Sequence, residues 1–368
     1  MRRLAAAFAA ASSVWAAGCA TTPSADPAAS APPEPGAVLR AVALDAALEE
    51  RILALDPDHI TEAELHATLM AAPAPRILLV HGGVYPVHLA MESFARFLIG
   101  MGYPERQIRD PGDGRFSYTP YAPSERLAGL VAWSYERDAT RPLLIGHSQG
   151  GIQVVKVLYD LAGRFDAEIP VWNPLADRAE ARVTIIDPLT GKARPVVGLH
   201  VPYASVVGAG GAAVLFPNQW SMLGKVRTIP DTVDEFVGFA IGLDLVAWDV
   251  AGVSGGFQAN GAARVRNVQL PAGYSHVVVP VTAHLTKDPA MKARINAYTP
   301  GQADGFPPAP DGAADNALWA AEVWYGIKRH WALEAQRLVR AKRAALGGGT
   351  MPATVVKRGT ENAGTGEQ

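Results

Sequence analysis

The spacing of apolar positions changes several times along the chain, and each change marks an element. Between Ala37 and Ala72, Val38, Leu39, Val42, Leu48, Ile52 and Leu55 fall mostly on i, i+3, i+4 steps, which predicts helix. Thr61 with Glu64 three residues on reads as a capping box opening a second short helix, and Pro73 and Pro75 close the region. Arg76-Ile77-Leu78-Leu79-Val80 then runs apolar without alternation into His81-Gly82-Gly83, the pattern of a strand buried on both faces of a parallel sheet. Helix from Val87 to Gly102, a short strand over 107–110, and a helix N-capped by Ser124 and running through Arg137 follow. Leu143-Leu144-Ile145 is the next strand, and a helix continues from Gly150 to Ala162. This alternation predicts an α/β protein: a mostly parallel central sheet with helices on both faces.

Residues 163–199 interrupt the alternation. Two short apolar runs, 183–187 and 193–197, flank Pro188-Leu189-Thr190-Gly191 and predict a β-hairpin inserted above the sheet, a candidate for a lid. Strands at Val201–Val207, Phe236–Ile241 and Arg264–Leu270 restore the core, and a helix over Pro289–Ala297 closes it. The Gly/Pro/Asp-rich stretch after residue 299 is a linker. Ala317–Leu346 is a helix about 45 Å long, with Trp319, Val323, Ile327, Trp331 and Leu338 on one side to pack on the domain. The tail, 347–368, reads as disordered.

Residues 1–18 place Arg2 and Arg3 before an apolar run to Trp15 and end in Ala16-Ala17-Gly18, the layout of a signal peptide. The run is too short to span a bilayer, which takes roughly 20 residues. Ala16-Ala17-Gly18-Cys19 resembles the bacterial lipobox, which implies a lipidated Cys19; the alternative is an ordinary secreted signal followed by a chance cysteine. With Ala20 after the cysteine, the resemblance implies an outer-membrane lipoprotein facing the periplasm. Residues 19–37 are rich in Ala, Pro, Ser and Thr, carry little apolar bulk, and read as a flexible tether. The body would then span 38–300, with 301–346 as linker and C-terminal helix.

Composition narrows the function classes. With 33 Lys+Arg against 35 Asp+Glu in 368 residues, the chain lacks the basic excess of a nucleic-acid binder. A single cysteine excludes an internal disulfide framework and a Cys-rich zinc site. Neither a His-x-x-x-His helix nor a nucleotide-binding glycine loop occurs, so no cofactor and no metal is expected. Asp110-Pro111-Gly112-Asp113-Gly114 reads as a plain turn rather than a calcium loop.

The chemistry points to Gly146-His147-Ser148-Gln149-Gly150, a G-x-S-x-G pentapeptide directly after an apolar strand and before a helix. There a serine can stand on a sharp turn at the end of the strand, while glycines keep the strand and helix close. Together, Arg76–Gly83 and Pro142–Gly151 resemble the α/β-hydrolase superfamily, of the lipase and carboxylesterase kind, over residues 74–300. The resemblance implies Ser148 as nucleophile and an oxyanion hole built from Gln149 and from Gly83 or Val84. His81 is then expected to shape the loop, and His147 to be an elbow residue rather than the base.

The acid and base should follow in that order. Asp244, just after the strand Phe236–Ile241, is the candidate acid with Asp249 as competitor; Asp231 and Asp234 precede the strand. His276 is the candidate base, in a Gly-containing turn after the strand Arg264–Leu270, with His284 as rival. His59, His66 and His200 read as surface or packing residues. The expected function is hydrolysis of a small-molecule or lipid ester through a Ser148–His276–Asp244 triad. Alternatives are a thioesterase or acyltransferase, or a non-catalytic envelope binding protein on the same scaffold. Tyr118, Tyr121, Phe216 and Trp220 are candidates for an apolar acyl pocket.

Overall fold

A computed structural model describes residues 33–34, 36–84, 87–166, 168–210, 214–241, 255–271, 273–301, 306 and 316–346. The signal segment with Cys19, most of the tether and the linker, Asp244, Asp249 and the tail lie outside the described residues.

At the centre is a parallel five-stranded sheet flanked by helices, a mixed α/β arrangement. Its strands are β1 (Ile77–Val80), β2 (Leu143–His147), β3 (Val201–Val207), β4 (Val233–Ala240) and β5 (Arg264–Gln269), side by side in chain order. The helices are α1 (Ala37–Ala41), α2 (Ala46–Ala54), α3 (Glu62–Ala67), α4 (Val87–Gly100), α5 (Ser124–Asp138), α6 (Gln149–Leu161), α7 (Pro289–Ala297) and α8 (Ala317–Leu346).

The unalternating runs are explained by burial on both faces. In β1, Ile77 and Leu79 join a core beneath α4 and α8, while Leu78 and Val80 join a second core beneath α5 and α6. The same division separates Leu143 and Ile145 from Leu144, and Val237 and Phe239 from Phe236. Side chains alternate across a strand, so two apolar layers demand apolar residues at every position. β5 departs from this expectation: among the described residues it is an edge strand, with Arg264, Asn267 and Gln269 exposed.

Several local predictions are met by specific bonds. The Thr61 hydroxyl accepts from Glu64 N while Glu64 accepts from Thr61 N, completing the capping box of α3. α8 buries Trp319, Trp324 and Trp331 completely, as well as Val323, Ile327 and Leu338.

Three expectations are corrected. No strand forms over 107–110, where a 3₁₀ turn, Glu105–Gln107, stands instead. Arg76 donates to the carbonyls of Arg106 and Arg109, so these groups are satisfied by a side chain rather than a neighbouring strand. Ser124 is the first residue of α5 rather than its cap, which is Pro123. The hairpin exists, Thr184–Ile186 against Ala193–Pro195, but it is not a lid over the serine. It is tied to the last turns of α5 and α6: Ile186 N donates to Glu136, Tyr135 to Asp187, and Gly198 N to the Leu161 carbonyl. Those turns lie at the end of the sheet where the strands begin, whereas Ser148 follows the last residue of β2.

Candidate functional site

Ser148 stands between β2 and α6 with φ 55° and ψ −128°, a conformation that a residue with a Cβ rarely adopts. Its N–H donates to Val207 O across the sheet at 2.8 Å, and its own carbonyl accepts from Gly151 N at 2.8 Å. The strain is held in place by close packing on either side. A Cβ on Gly146 would come within 2.6 Å of the Gly150 carbonyl oxygen, and one on Gly150 would overlap the carbonyls of Val80 and His81. Larger residues at these two positions would push α6 away from β1 and β2. The serine then sits at the N-terminus of a 13-residue helix, where unpaired amides and the helix dipole favour negative charge.

His276 lies in the turn after β5, and its Nε2 is 2.7 Å from Ser148 Oγ. The sequence rivals are thereby separated in space. His284 belongs to a 3₁₀ turn, Ala283–Lys287, packed against α4. Val277–Val279, which could have formed a last strand, is a turn. The two aspartates before β4 are engaged elsewhere: Asp231 accepts from Ala263 N and Ala262 N, and Asp234 pairs with Arg141. Asp244 and Asp249 lie outside the described residues.

His147 has a further part that its sequence context did not reveal. Fully buried, it donates from Nε2 to the His276 backbone carbonyl at 2.6 Å, with the two rings 5.3 Å apart. The residue before the serine thus anchors the turn that carries the histidine. Only a contact spanning 129 positions defines this role, and no local pattern signals it.

The loop after β1 closes the other side. A Cβ on Gly82 would lie 3.1 Å from the Ser148 Cβ, so the loop runs directly beside the serine. A Cβ on Gly83 would overlap the Gln149 side-chain oxygen. Gln149 opens α6 and is buried, and neither its side-chain oxygen nor its nitrogen has a hydrogen-bond partner among the described residues. Its backbone N–H occupies the first helical position, where no intrahelical acceptor exists. His81 Nδ1 lies 2.7 Å from the Gly82 carbonyl, and burial pushes the His81 pKa down, favouring a neutral ring that donates this bond. Val84 is largely exposed.

Of the aromatic candidates, Tyr118 is buried and pairs with the end of β1, whereas Tyr121, Phe216 and Trp220 are at least half exposed. Asp110 accepts from Gly112 N and Asp113 N, and Asp113 pairs with Arg115, which makes 110–114 a self-satisfied turn. No group of three or more His, Cys, Asp or Glu able to hold a metal occurs among the described residues. Nor is any described helix long and apolar enough to cross a membrane.

No family profile matches the sequence, and no curated protein matches it. Among solved structures, one described as RedJ with a PEG molecule bound in the active site is similar at 13% identity and a TM-score of 0.29. The match covers 62% of this chain and 92% of that one.

Proposed function

We propose that this chain is a serine hydrolase with an α/β-hydrolase fold that cleaves carboxylic esters. The observation that carries this reading is the 2.7 Å approach of His276 Nε2 to the hydroxyl of a serine held at positive φ at the head of a helix. A serine hydroxyl is a weak nucleophile until a base within hydrogen-bond reach removes its proton. In the proposed reaction Ser148 Oγ attacks the ester carbonyl while its proton passes to His276 Nε2. The tetrahedral oxyanion is met by Gln149 N–H and by an amide of the Gly83–Val84 segment. His276 returns the proton to the departing alcohol. Water, activated by the same ring, then releases the acid from Ser148. Asp244 is the proposed partner of His276 Nδ1, orienting the ring and stabilising its charged form.

The exposed apolar side chains bear on substrate class. The exposed Val84 and Leu89 follow β1, Leu215, Phe216 and Trp220 follow β3, and Val277 and Val278 follow the serine's histidine, while the exposed Tyr121 reaches the loop after β1 through its hydroxyl. Such a concentration beside one polar site suits an ester with an apolar acyl group rather than a small, highly soluble one. The proposed setting is the bacterial envelope, with lipidated Cys19 tethering the enzyme to the outer membrane.

Treating residues 20–368 with a fluorophosphonate and mapping the adduct tests the reading. The expected result is one adduct, on Ser148, lost in His276→Ala, retained in His284→Ala, and slowed in Asp244→Asn but not in Asp249→Asn. Absence of any adduct on the folded protein would overturn it in favour of a non-catalytic scaffold.

A further inference from the structure

The loop beside Ser148 poses a mechanical problem. Gly82 and Gly83 are consecutive and lack a Cβ, so the peptide plane between them can rotate at little steric cost, and Gly83 allows the next plane a wider range of ψ than a residue with a Cβ would. In a trans peptide the C=O and N–H of one plane point in opposite directions. A plane turned one way offers an N–H to a developing oxyanion; turned the other way, it offers a carbonyl oxygen, which repels it. Such a loop can serve an oxyanion only if its carbonyls are held away from that position.

Both carbonyls are held. His81 Nδ1 engages the Gly82 oxygen at 2.7 Å, and the Tyr121 hydroxyl donates to the Gly83 oxygen at 2.6 Å. Tyr121 comes from a segment 38 residues further along the chain, and its loop is itself anchored. Gln153, on the second turn of the helix that starts at the serine, donates to Ala122 O at 2.7 Å, and Asn218 donates to Pro120 O at 3.2 Å. The ring is more than half exposed, so packing does not account for its placement; the hydroxyl is its fixed end.

We infer that Tyr121 is a positioning residue of the oxyanion hole: its hydrogen bond to the Gly83 carbonyl sets the Gly83–Val84 peptide plane. The Val84 N–H is thereby turned away from Tyr121, and the Gly83 oxygen is kept out of the position of developing negative charge. The inference rests on the serine-hydrolase reading. It assigns the Tyr121 hydroxyl a role distinct from lining an acyl pocket, which its ring alone would perform.

Tyr121→Phe separates these roles because it removes the hydroxyl and keeps the ring. The measurement compares wild type and variant in kcat and KM on a p-nitrophenyl ester, and in Ki for a trifluoromethyl ketone. That ketone adds Ser148 Oγ reversibly to its carbonyl carbon, the hydroxyl proton moves to His276, and the product oxygen carries the charge an oxyanion hole must meet. The expected result is a kcat about tenfold lower, a Ki weakened by a similar factor, and a KM within about twofold, smaller than the loss from deleting a donor outright. An unchanged kcat and Ki would overturn the inference. So would a raised KM with kcat retained, which would make Tyr121 a pocket wall. Fluorophosphonate labelling of the wild type in the same series keeps the two failures apart, since an unlabelled Ser148 defeats the hydrolase reading itself.

Discussion

The strand-end face around Ser148 and the long helix α8 are built on opposite terms. α8 buries three tryptophans completely and answers its buried charges: Glu334 with Arg141, Glu322 with Tyr298 and Arg266, and Lys328 with the carbonyls of Ile60 and Asn296. Around the serine the chain holds a residue at positive φ, keeps a buried glutamine amide that has no partner among the described residues, and exposes apolar side chains to solvent. Each of those features costs stability, and each supplies something a reacting site uses: a projecting hydroxyl, a polar group left for a ligand, a surface for an acyl chain. The contrast sets a packed, charge-paired region against one that carries backbone strain and exposed apolar side chains.

Substitutions should separate the two. The largest expected effect comes from Ser148→Gly, which removes the nucleophile and relieves the positive φ together. Ester hydrolysis should fall by about 10⁴-fold or more, while the chemical denaturation midpoint rises, consistent with release of about 1 kcal/mol of backbone strain. A fall in the midpoint would show that the elbow is not strained.

Trp319→Ala should do the reverse. The ring is fully buried and lies 4.6 Å from Phe94, so its loss should cost about 3–5 kcal/mol in equilibrium unfolding. Turnover by the fraction that remains folded should stay near wild type. A collapse of kcat in that fraction would mean that the two regions are coupled.

The smallest expected effect is a pH dependence far from both. Asp160, near the end of α6, is fully buried, and burial pushes its carboxyl up to about 7 against the opposing pull of the Ser124 hydroxyl. Unfolded, the group releases its proton near 3.8; folded, it keeps the proton to about 7. The folded chain therefore binds more protons between these values, and stability falls as pH rises through that window and stays lower above it. Asp160→Asn should remove this dependence, giving a Tm close to wild type at pH 4 and above wild type at pH 8. Equal differences at the two pH values would show that Asp160 does not titrate there.

Much of the architecture can be read along the chain because its causes are local. The capping box of α3 depends on residues three apart, and α7 and α8 begin and end where periodicity and flanking residues place them. The turn at Ser148 is legible for the same reason: glycines two positions either side of a serine, between an apolar strand and a helix, leave few other ways to pack. Local pattern and structure part where a distant group intervenes. Arg76 takes the Arg109 carbonyl that a strand over 107–110 would have used, and the ends of α5 and α6 hold the hairpin away from the serine.

Sequence alone determined the strand–turn–helix around Ser148, the two-faced burial of the central strands and the existence of the long terminal helix. These follow from side-chain period and steric limits acting over a few residues. Tertiary structure alone decided that His276 rather than His284 meets the serine, that His147 anchors its turn, that β5 is an edge, and that Tyr121 grips the Gly83 carbonyl. The Ser148–His276 pair joins positions 128 residues apart, and its distance depends on strand register and on the path of the turn after β5, which no local pattern encodes.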